Sequence, residues 1–328
     1  MDWWARKGVL KGKWTPSELH GPSHDEVSRP PDPPCGESIH SLPGLRAQWN
    51  HYTLSRSDFS DDTLPIADTD IGPGSLCLYL GCEPGFSPET VWFKPCWKDL
   101  DSLDEAPPIQ FDQENPWWQV TLATLRASRE LARGRYFVGC PDLVENVDIL
   151  AAMREPQMLM MDMLDDPETV RTRLREITDI WMQVYQEIYD SIREPDGSST
   201  FGAFRLWAPG KVAKIQCDSS AMFSPPLFRE LACPEFRRQC EWLDYSIYHL
   251  DGTQAVCHLD ALLEIDALDA IEWTPQAGIE GGTHPRWFPM YRKILESGKS
   301  LQVIHSDSSG IDPLLNAVGT EGIYIVEP

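Results

Sequence analysis

The chain has 328 residues, of which 41% are hydrophobic and 24% are charged, a composition typical of globular proteins. This length is enough for one large domain or two ordinary ones. The formal net charge of −23 would repel nucleic-acid backbones and anionic membranes, so we expect neither as a partner. No apolar run approaches the length of a transmembrane helix, and the residues after Met1 lack the pattern of a signal peptide. We therefore expect a cytoplasmic protein.

The nine cysteines are an odd number, and no two of them form a Cys-x-x-Cys pair. Several lie inside apolar runs, where a thiol behaves as a small hydrophobic group. We expect reduced, mostly buried thiols, as in a cytoplasmic protein, and no structural zinc site made of close cysteine pairs.

Residues 1–74 are irregular in composition and contain a stiff proline-rich stretch at 30–34. Four tryptophans in this segment indicate that it is docked on a core and not disordered. We expect residues 1–74 to be an extension that packs on a domain formed by residues 75–328 and partly covers its open end.

Strands and helices alternate from residue 135 onward. Asn115 is predicted to cap a helix that runs to Gly134, Arg135–Val138 is a predicted strand, and Asp166 opens a long amphipathic helix. The later predicted strands are Phe201–Trp207, Val212–Cys217, Leu243–His249, Ala270–Trp273, Leu301–His305 and Gly322–Val326. This order predicts an α/β fold with a parallel sheet, and the number of strands favours a (β/α)8 TIM barrel. No Gly-x-Gly-x-x-Gly turn supports a dinucleotide-binding fold.

Polar residues follow most of the predicted strands, at the end where a parallel barrel carries its active site. They are Asp142, Asp218, His249, Asp251, Trp273 and His305, and Asp70 precedes the first apolar run of the domain. We expect Asp142 to cap the next helix, and capping is also open to Asp218.

The stretch Tyr248-His249-Leu250-Asp251-Gly252 gives the most specific prediction. Side chains alternate along a strand, so His249 and Asp251 share one face while Tyr248 and Leu250 take the other. A histidine beside a carboxylate suits a metal ligand or an acid–base pair. A purely structural hydrogen bond between the two remains the alternative.

The order of these segments resembles the uroporphyrinogen decarboxylase superfamily, which includes cobalamin-dependent methyltransferases. The similar segments are Thr69–Gly81, Pro141–Asp166, Ala213–Pro225, Tyr248–Gly252 and Ile271–Thr274. The resemblance covers about residues 68–326 and implies a (β/α)8 barrel. It also places Asp70 where the decarboxylases carry an essential aspartate.

Two departures from the family pattern bear on the chemistry. The arginine-rich segment with which the decarboxylases hold porphyrinogen carboxylates has no counterpart here. The zinc methyltransferases have a His-x-Cys-Gly turn and a later cysteine, whereas this chain has aspartate at position 251 and no cysteine after Cys257. We therefore expect a metal site with harder donor atoms, nitrogen and oxygen in place of sulfur, from His249 and Asp251. Asp218 or His305 are further candidate ligands.

The resemblance implies an enzyme that acts on a small molecule, and methyl transfer linked to a corrinoid protein is the first interpretation. Zinc or another divalent metal would be the bound cofactor, and a partner would carry the corrinoid; a homodimer is left open. The candidate catalytic residues are His249, Asp251, Asp218 and Asp70, with His249 and Asp251 as metal ligands. The candidate substrate-binding residues are Tyr248, Trp207, Glu272, Trp273 and His305.

Three other interpretations remain open at this stage. A decarboxylase would use Asp70 or Asp218 to stabilise a protonated intermediate. A hydrolase or lyase for a sugar-like ligand would pair carboxylates among Asp218, Asp251 and Glu272, with tryptophans as stacking platforms. The last is a barrel that binds a small molecule without catalysis.

Overall fold

The computed structural model describes residues 2–18, 27–87, 90–304 and 306–328. The strands are β1 (Val9–Lys13), β2 (Ser17–Glu18), β3 (Ser57–Asp58), β4 (Ile66–Ala67), β5 (Glu83–Phe86), β6 (Val91–Lys94), β7 (Phe137–Val138), β8 (Ser199–Phe201), β9 (Leu206–Ala208), β10 (Val212–Gln216), β11 (Tyr245–Asp251), β12 (Ala270–Thr274), β13 (Ser300–Val303) and β14 (Ile323–Glu327).

Helices alternate with these strands over most of the chain. The α-helices are α1 (Ser38–Ser41), α2 (Pro43–Leu54), α3 (Leu76–Tyr79), α4 (Pro116–Ala132), α5 (Asn146–Arg154), α6 (Pro156–Asp165), α7 (Pro167–Ile192), α8 (Pro225–Leu231), α9 (Cys233–Trp242), α10 (Gly252–Ala255), α11 (Leu259–Leu263), α12 (Phe288–Glu296) and α13 (Ser308–Val318). Short 3₁₀ helices occupy Leu103–Glu105, Asp218–Met222, Val256–His258 and Pro285–Trp287.

Six strands form one parallel sheet in the order β1-β14-β13-β12-β11-β10. Strand β10 is buried along its whole length, as expected for a parallel strand covered on both faces. Because helices connect successive strands, their carboxyl ends all lie at the same edge of the sheet. The structure thus confirms a mixed α/β fold with a parallel sheet.

The predicted helix starts are formed by side-chain caps. Asn115 accepts hydrogen bonds from the backbone N–H groups of Trp117 and Trp118 at the start of α4. Asp166 does the same for Thr169 at the start of α7. In both helices a proline occupies the first turn, where its missing N–H costs no hydrogen bond.

The N-terminal segment contributes a strand to the main sheet. Strand β1 pairs in parallel with β14, and Trp3 just before it is only 2% exposed. The Trp3 indole N–H donates to the backbone oxygen of Leu301 at 3.3 Å, and its ring packs against Trp4 and Tyr324. The division at residue 74 stays a prediction, but part of the extension is structurally continuous with the sheet.

A second set of strands lies beside the sheet. Strand β4 pairs in parallel with β7, Cys140 forms a parallel bridge with Phe201, and β8 and β9 form an antiparallel hairpin. The single strand predicted for Phe201–Trp207 is therefore wrong, because the chain reverses through Arg205, whose backbone is left-handed at a φ of 53°. Closure of all strands into an eight-stranded barrel stays a prediction.

The turn of the β8–β9 hairpin covers one face of the sheet. The Phe204 ring lies 4.9 Å from the ring of His249, and the Gln302 side chain donates to the Phe204 backbone oxygen at 2.9 Å. Helices cover the opposite face, as the packing of Tyr248 against Phe236 of α9 shows. None of the described helices is both long enough and apolar enough to span a lipid bilayer.

The packing of Trp3 gives a stability prediction. Trp3→Ala should lower the free energy of unfolding by about 3–5 kcal/mol, because it removes a fully packed indole beneath the edge of the sheet. Trp92→Ala is the matched control, since that ring is 47% exposed, and we expect about 1 kcal/mol or less. Urea denaturation of both variants measures the difference. If Trp3→Ala lowers the free energy of unfolding no more than Trp92→Ala does, residues 1–14 are not integral to the fold.

Candidate active site

The register of the sheet places polar side chains in one row on the face covered by Phe204. Gln216 lies opposite His249, His249 opposite Glu272, and Glu272 opposite Gln302. Neighbouring residues of such a row are close enough for their side chains to bond directly. The row lies near the carboxyl ends of β10, β11, β12 and β13, at the edge where parallel α/β sheets bind ligands.

Three side chains at this edge could bind a metal ion. One potential ligand atom each from Asp218, His249 and Asp251 lies within 4.8 Å of the others. Asp218 opens the 3₁₀ helix that follows β10, while His249 and Asp251 are alternate residues at the end of β11. The structure thus brings together the three residues on which the sequence prediction concentrated.

Glu272 holds the imidazole ring of His249 in place. Its carboxylate hydrogen-bonds His249 Nδ1, and its other oxygen accepts a hydrogen bond from the Thr274 hydroxyl at 2.8 Å. This leaves Nε2 as the nitrogen free to face a metal or a substrate. Burial acts to lower the pKa of His249, but the charge and the hydrogen bond of Glu272 outweigh it, and the net shift is upward.

Asp148 of α5 fixes the position of Asp218. Its carboxylate accepts hydrogen bonds from the backbone N–H of Asp218 at 2.8 Å and of Ser219 at 2.9 Å. The Gln216 amide donates to Asp148 at 3.1 Å and to Asp218 at 3.0 Å, so one amide joins the two acids. Burial and the neighbouring Asp148 carboxylate raise the pKa of Asp218 to about 6.

A buried lysine balances part of this acidic edge. The Lys214 ammonium is 2.8 Å from a carboxylate oxygen of Asp142 and also donates to the Gln216 side chain. Burial acts to lower its pKa, but Asp142 and Glu145 outweigh that effect and raise it, so the lysine stays charged. Asp142 therefore pairs with a lysine, and the helix cap predicted for it is wrong, because the N-cap position of α5 is Glu145.

Asp70 lies on the far side of this ion pair. Its carboxylate accepts the backbone N–H of Asp142, and burial together with the charges of Asp68 and Asp142 raises its pKa well above the usual range. It is not one of the three converging groups. A catalytic role for Asp70 stays a prediction; its bond to Asp142, which in turn pairs with Lys214, connects it to the site.

A cavity of about 380 Å³ adjoins Asp218. Four polar side chains contribute to its wall, namely Asp148, Gln216, Asp218 and Ser219. Most of the remaining wall is apolar, formed by residues such as Phe93, Pro95, Val144, Ile149, Ala152 and Pro156. An apolar pocket with a few polar groups on one side is typical of small-molecule sites.

Several predicted substrate-binding residues lie elsewhere. Tyr248 and Trp273 take the opposite strand face from His249 and Glu272 and are buried against Phe236 and Trp287, respectively. Trp207 lines a separate cavity of about 250 Å³ together with Trp3 and Trp4. Their assignment to substrate binding gains no support from these positions.

Two further predictions have different outcomes. Glu272 is at the site, but it is fully buried behind His249 and holds that residue instead of facing the cavity. His305 lies outside the described residues.

Four residues of this site were not predicted from the sequence: Asp148, Phe204, Lys214 and Gln216. Lys214 sits two residues before Gln216 in β10, so alternation could have placed it on the polar face. A lysine inside an apolar strand was the available signal. Asp148 lies within a helix and Phe204 in an irregular turn, and neither position carries a sequence pattern that would indicate its role.

Comparison with known proteins supports the fold. No protein-family model matches the chain, and no curated protein matches it in sequence. Among solved structures, the chain is similar to a methyltransferase from Methanosarcina mazei, with a TM-score of 0.63 at 12% sequence identity. The match covers 88% of this chain and 80% of the other. At this identity the likeness concerns the fold.

The His249–Glu272 pair gives a pH prediction for the metal-free protein. Folding raises the pKa of the His249 imidazole. The contribution of the pair to stability is therefore complete below the unfolded pKa of about 6.5 and is lost as pH rises through the folded pKa of His249. Glu272→Gln should lower the His249 pKa in an NMR titration and flatten this pH dependence. Glu280→Gln, at an exposed ion pair, is the control and should leave His249 unchanged. An unchanged pKa in Glu272→Gln would refute the pairing.

Proposed function

We propose that this chain is a metal-dependent methyltransferase on a closed (β/α)8 barrel of the uroporphyrinogen decarboxylase type. The observation that carries the proposal is the convergence of Asp218, His249 and Asp251 at the carboxyl ends of two adjacent strands. The fold likeness to a methyltransferase is compatible with it, although fold alone does not fix chemistry.

The three side chains fit a divalent metal. Two carboxylates and one imidazole are a donor set that zinc accepts, and they leave room for a further ligand. The bond from Glu272 to Nδ1 supplies the outer support that metal-binding histidines commonly have. Because aspartate stands where related zinc methyltransferases have cysteine, the site is harder than theirs and is open to other divalent ions.

A bound divalent ion would act as a Lewis acid that favours the deprotonated form of a thiol or hydroxyl acceptor. Asp218 lies at the wall of the 380 Å³ cavity, so a metal that it helps to hold would adjoin the space for the acceptor, and the proton that the acceptor loses would go to solvent. The apolar wall formed by Ile149 and Ala152 would exclude water from the transferred methyl group.

The methyl donor in this proposal is a corrinoid carried by a partner protein. The acceptor's lone pair would form the new bond to the methyl carbon, and the bond between carbon and the donor's cobalt would break with its electrons left on the donor. A sugar hydrolase with Glu272 in its carboxylate pair is less favoured, because Glu272 is fully buried and already bonded to His249.

Metal titration of site variants tests the metal centre. His249→Ala, Asp218→Asn and Asp251→Asn should each weaken zinc binding by more than about 100-fold, and Glu272→Gln by about 10–100-fold, when zinc is titrated against a chelator. His284→Ala and Asp190→Asn are matched controls at exposed positions outside the cluster and should bind zinc as the parent protein does. Equal zinc affinity in the site variants and the parent protein would refute the proposed metal centre.

Methyl transfer itself has a direct optical assay. Methylcobalamin and 2-mercaptoethanol serve as free donor and acceptor, and loss of the methylcobalamin absorbance reports the transfer. We expect turnover that requires added metal and disappears in His249→Ala but not in His284→Ala. Tight metal binding without any demethylation, over a range of thiol and alcohol acceptors, would contradict the methyl-transfer proposal while leaving the metal site intact.

A further inference from the structure

Two cysteines meet at the base of the β5–β6 hairpin. Cys82 directly precedes β5, Cys96 follows β6 by two residues, and their sulfur atoms are 3.7 Å apart. Cys82 is buried, whereas Cys96 is exposed. Neither residue belongs to the metal-binding group described above.

The backbone on both sides of the pair is held in place. The Cys82 N–H donates to the Cys77 backbone oxygen at 3.0 Å, and the Trp97 N–H donates to the Met153 oxygen at 2.8 Å. Because these anchors hold the two sulfurs close together, little further conformational entropy is lost when they join. A disulfide needs an S–S distance of about 2.05 Å, so the two sulfurs must move closer together than their present 3.7 Å.

We propose that Cys82 and Cys96 form a redox-sensitive pair that closes into a disulfide when it reacts with a small-molecule disulfide. The Cys96 thiolate attacks the small disulfide, forms a mixed disulfide and releases one thiolate, which takes up the proton that Cys96 lost. The Cys82 thiolate then attacks the Cys96 sulfur and expels the second thiol. Two protein thiols are oxidised, and one external disulfide is reduced to two thiols.

The local environment makes this exchange slow and selective. Hydrogen bonding with Cys77 and burial raise the pKa of Cys82 to about 12, and hydrogen bonding with Cys82 and burial also raise the pKa of Cys96, so both thiolates are scarce at neutral pH and the exchange is slow. Cys96 is the residue that a solvent-borne disulfide can reach. Exchange should therefore start at Cys96 and speed up with rising pH.

The pair is close to the candidate active site. Phe93 and Pro95, on the strand that leads to Cys96, line the 380 Å³ cavity, as does Cys77. Phe93 packs on Gly74, where an added Cβ would lie 3.1 Å from its ring and where the φ of 90° favours glycine. A disulfide at the base of the hairpin would thus fix one wall of the cavity. This inference does not depend on the reaction proposed above.

Reaction with bis(2-hydroxyethyl) disulfide tests the proposal on the whole protein. After incubation, remaining thiols are alkylated and the protein is digested without reduction and analysed by mass spectrometry. We expect the loss of two free thiols and one cross-linked peptide that joins Cys82 to Cys96. Hydrogen exchange of residues 83–87 and 91–94 should slow in the oxidised form.

Cysteine variants provide the controls. Cys96→Ser should abolish the cross-link, and Cys82→Ser should stop the reaction at a mixed disulfide on Cys96. Cys257→Ser removes a different exposed thiol and should leave the cross-link unchanged. A mixed disulfide that persists on Cys96 in the parent protein, or a cross-link that joins other cysteines, would overturn the proposal.

Discussion

The register of the parallel sheet is the constraint on which the candidate site depends. It aligns Gln216, His249, Glu272 and Gln302 in one row across four strands, on the face against which Phe204 packs. Polar groups buried in this way are costly unless they are bonded. The bond of Glu272 to His249 and the two bonds of the Gln216 amide meet that requirement for three members of the row and also fix the orientation of the ligand side chains. Gln302 donates to the Phe204 backbone oxygen, but its own side-chain oxygen is unpaired within the described part of the chain.

The electrostatics of the site follow from a shortage of buried cations. The Lys214 ammonium is bonded to Asp142 and Gln216, and its charge and that of His249 offset the acids Asp148, Asp218 and Asp251 only in part. Burial, together with the nearby Asp148 carboxylate, still raises the pKa of Asp218. A divalent cation would relieve the same repulsion, which is why the cluster suits a metal better than an anionic substrate.

Alternation along two strands explains which of the predicted residues the structure brings together. His249 and Asp251 were identified because they share a strand face, and Asp218 because it follows the neighbouring strand. The same rule, applied to Ile271-Glu272-Trp273, would have kept Glu272 and excluded Trp273. The roles of Asp148 and Phe204 depend on how a helix and a hairpin turn pack onto the sheet, and no local sequence pattern encodes that packing.

X-ray absorption at the zinc edge of the zinc-loaded protein tests the central claim most directly, because it reports the ligand atoms themselves. The account predicts a first shell of only nitrogen and oxygen at about 2.0–2.1 Å, with the outer scattering of one imidazole ring. His249→Ala should lose that imidazole signal. A sulfur shell at about 2.3 Å would contradict the account, because it would place the metal on cysteines and not on Asp218, His249 and Asp251.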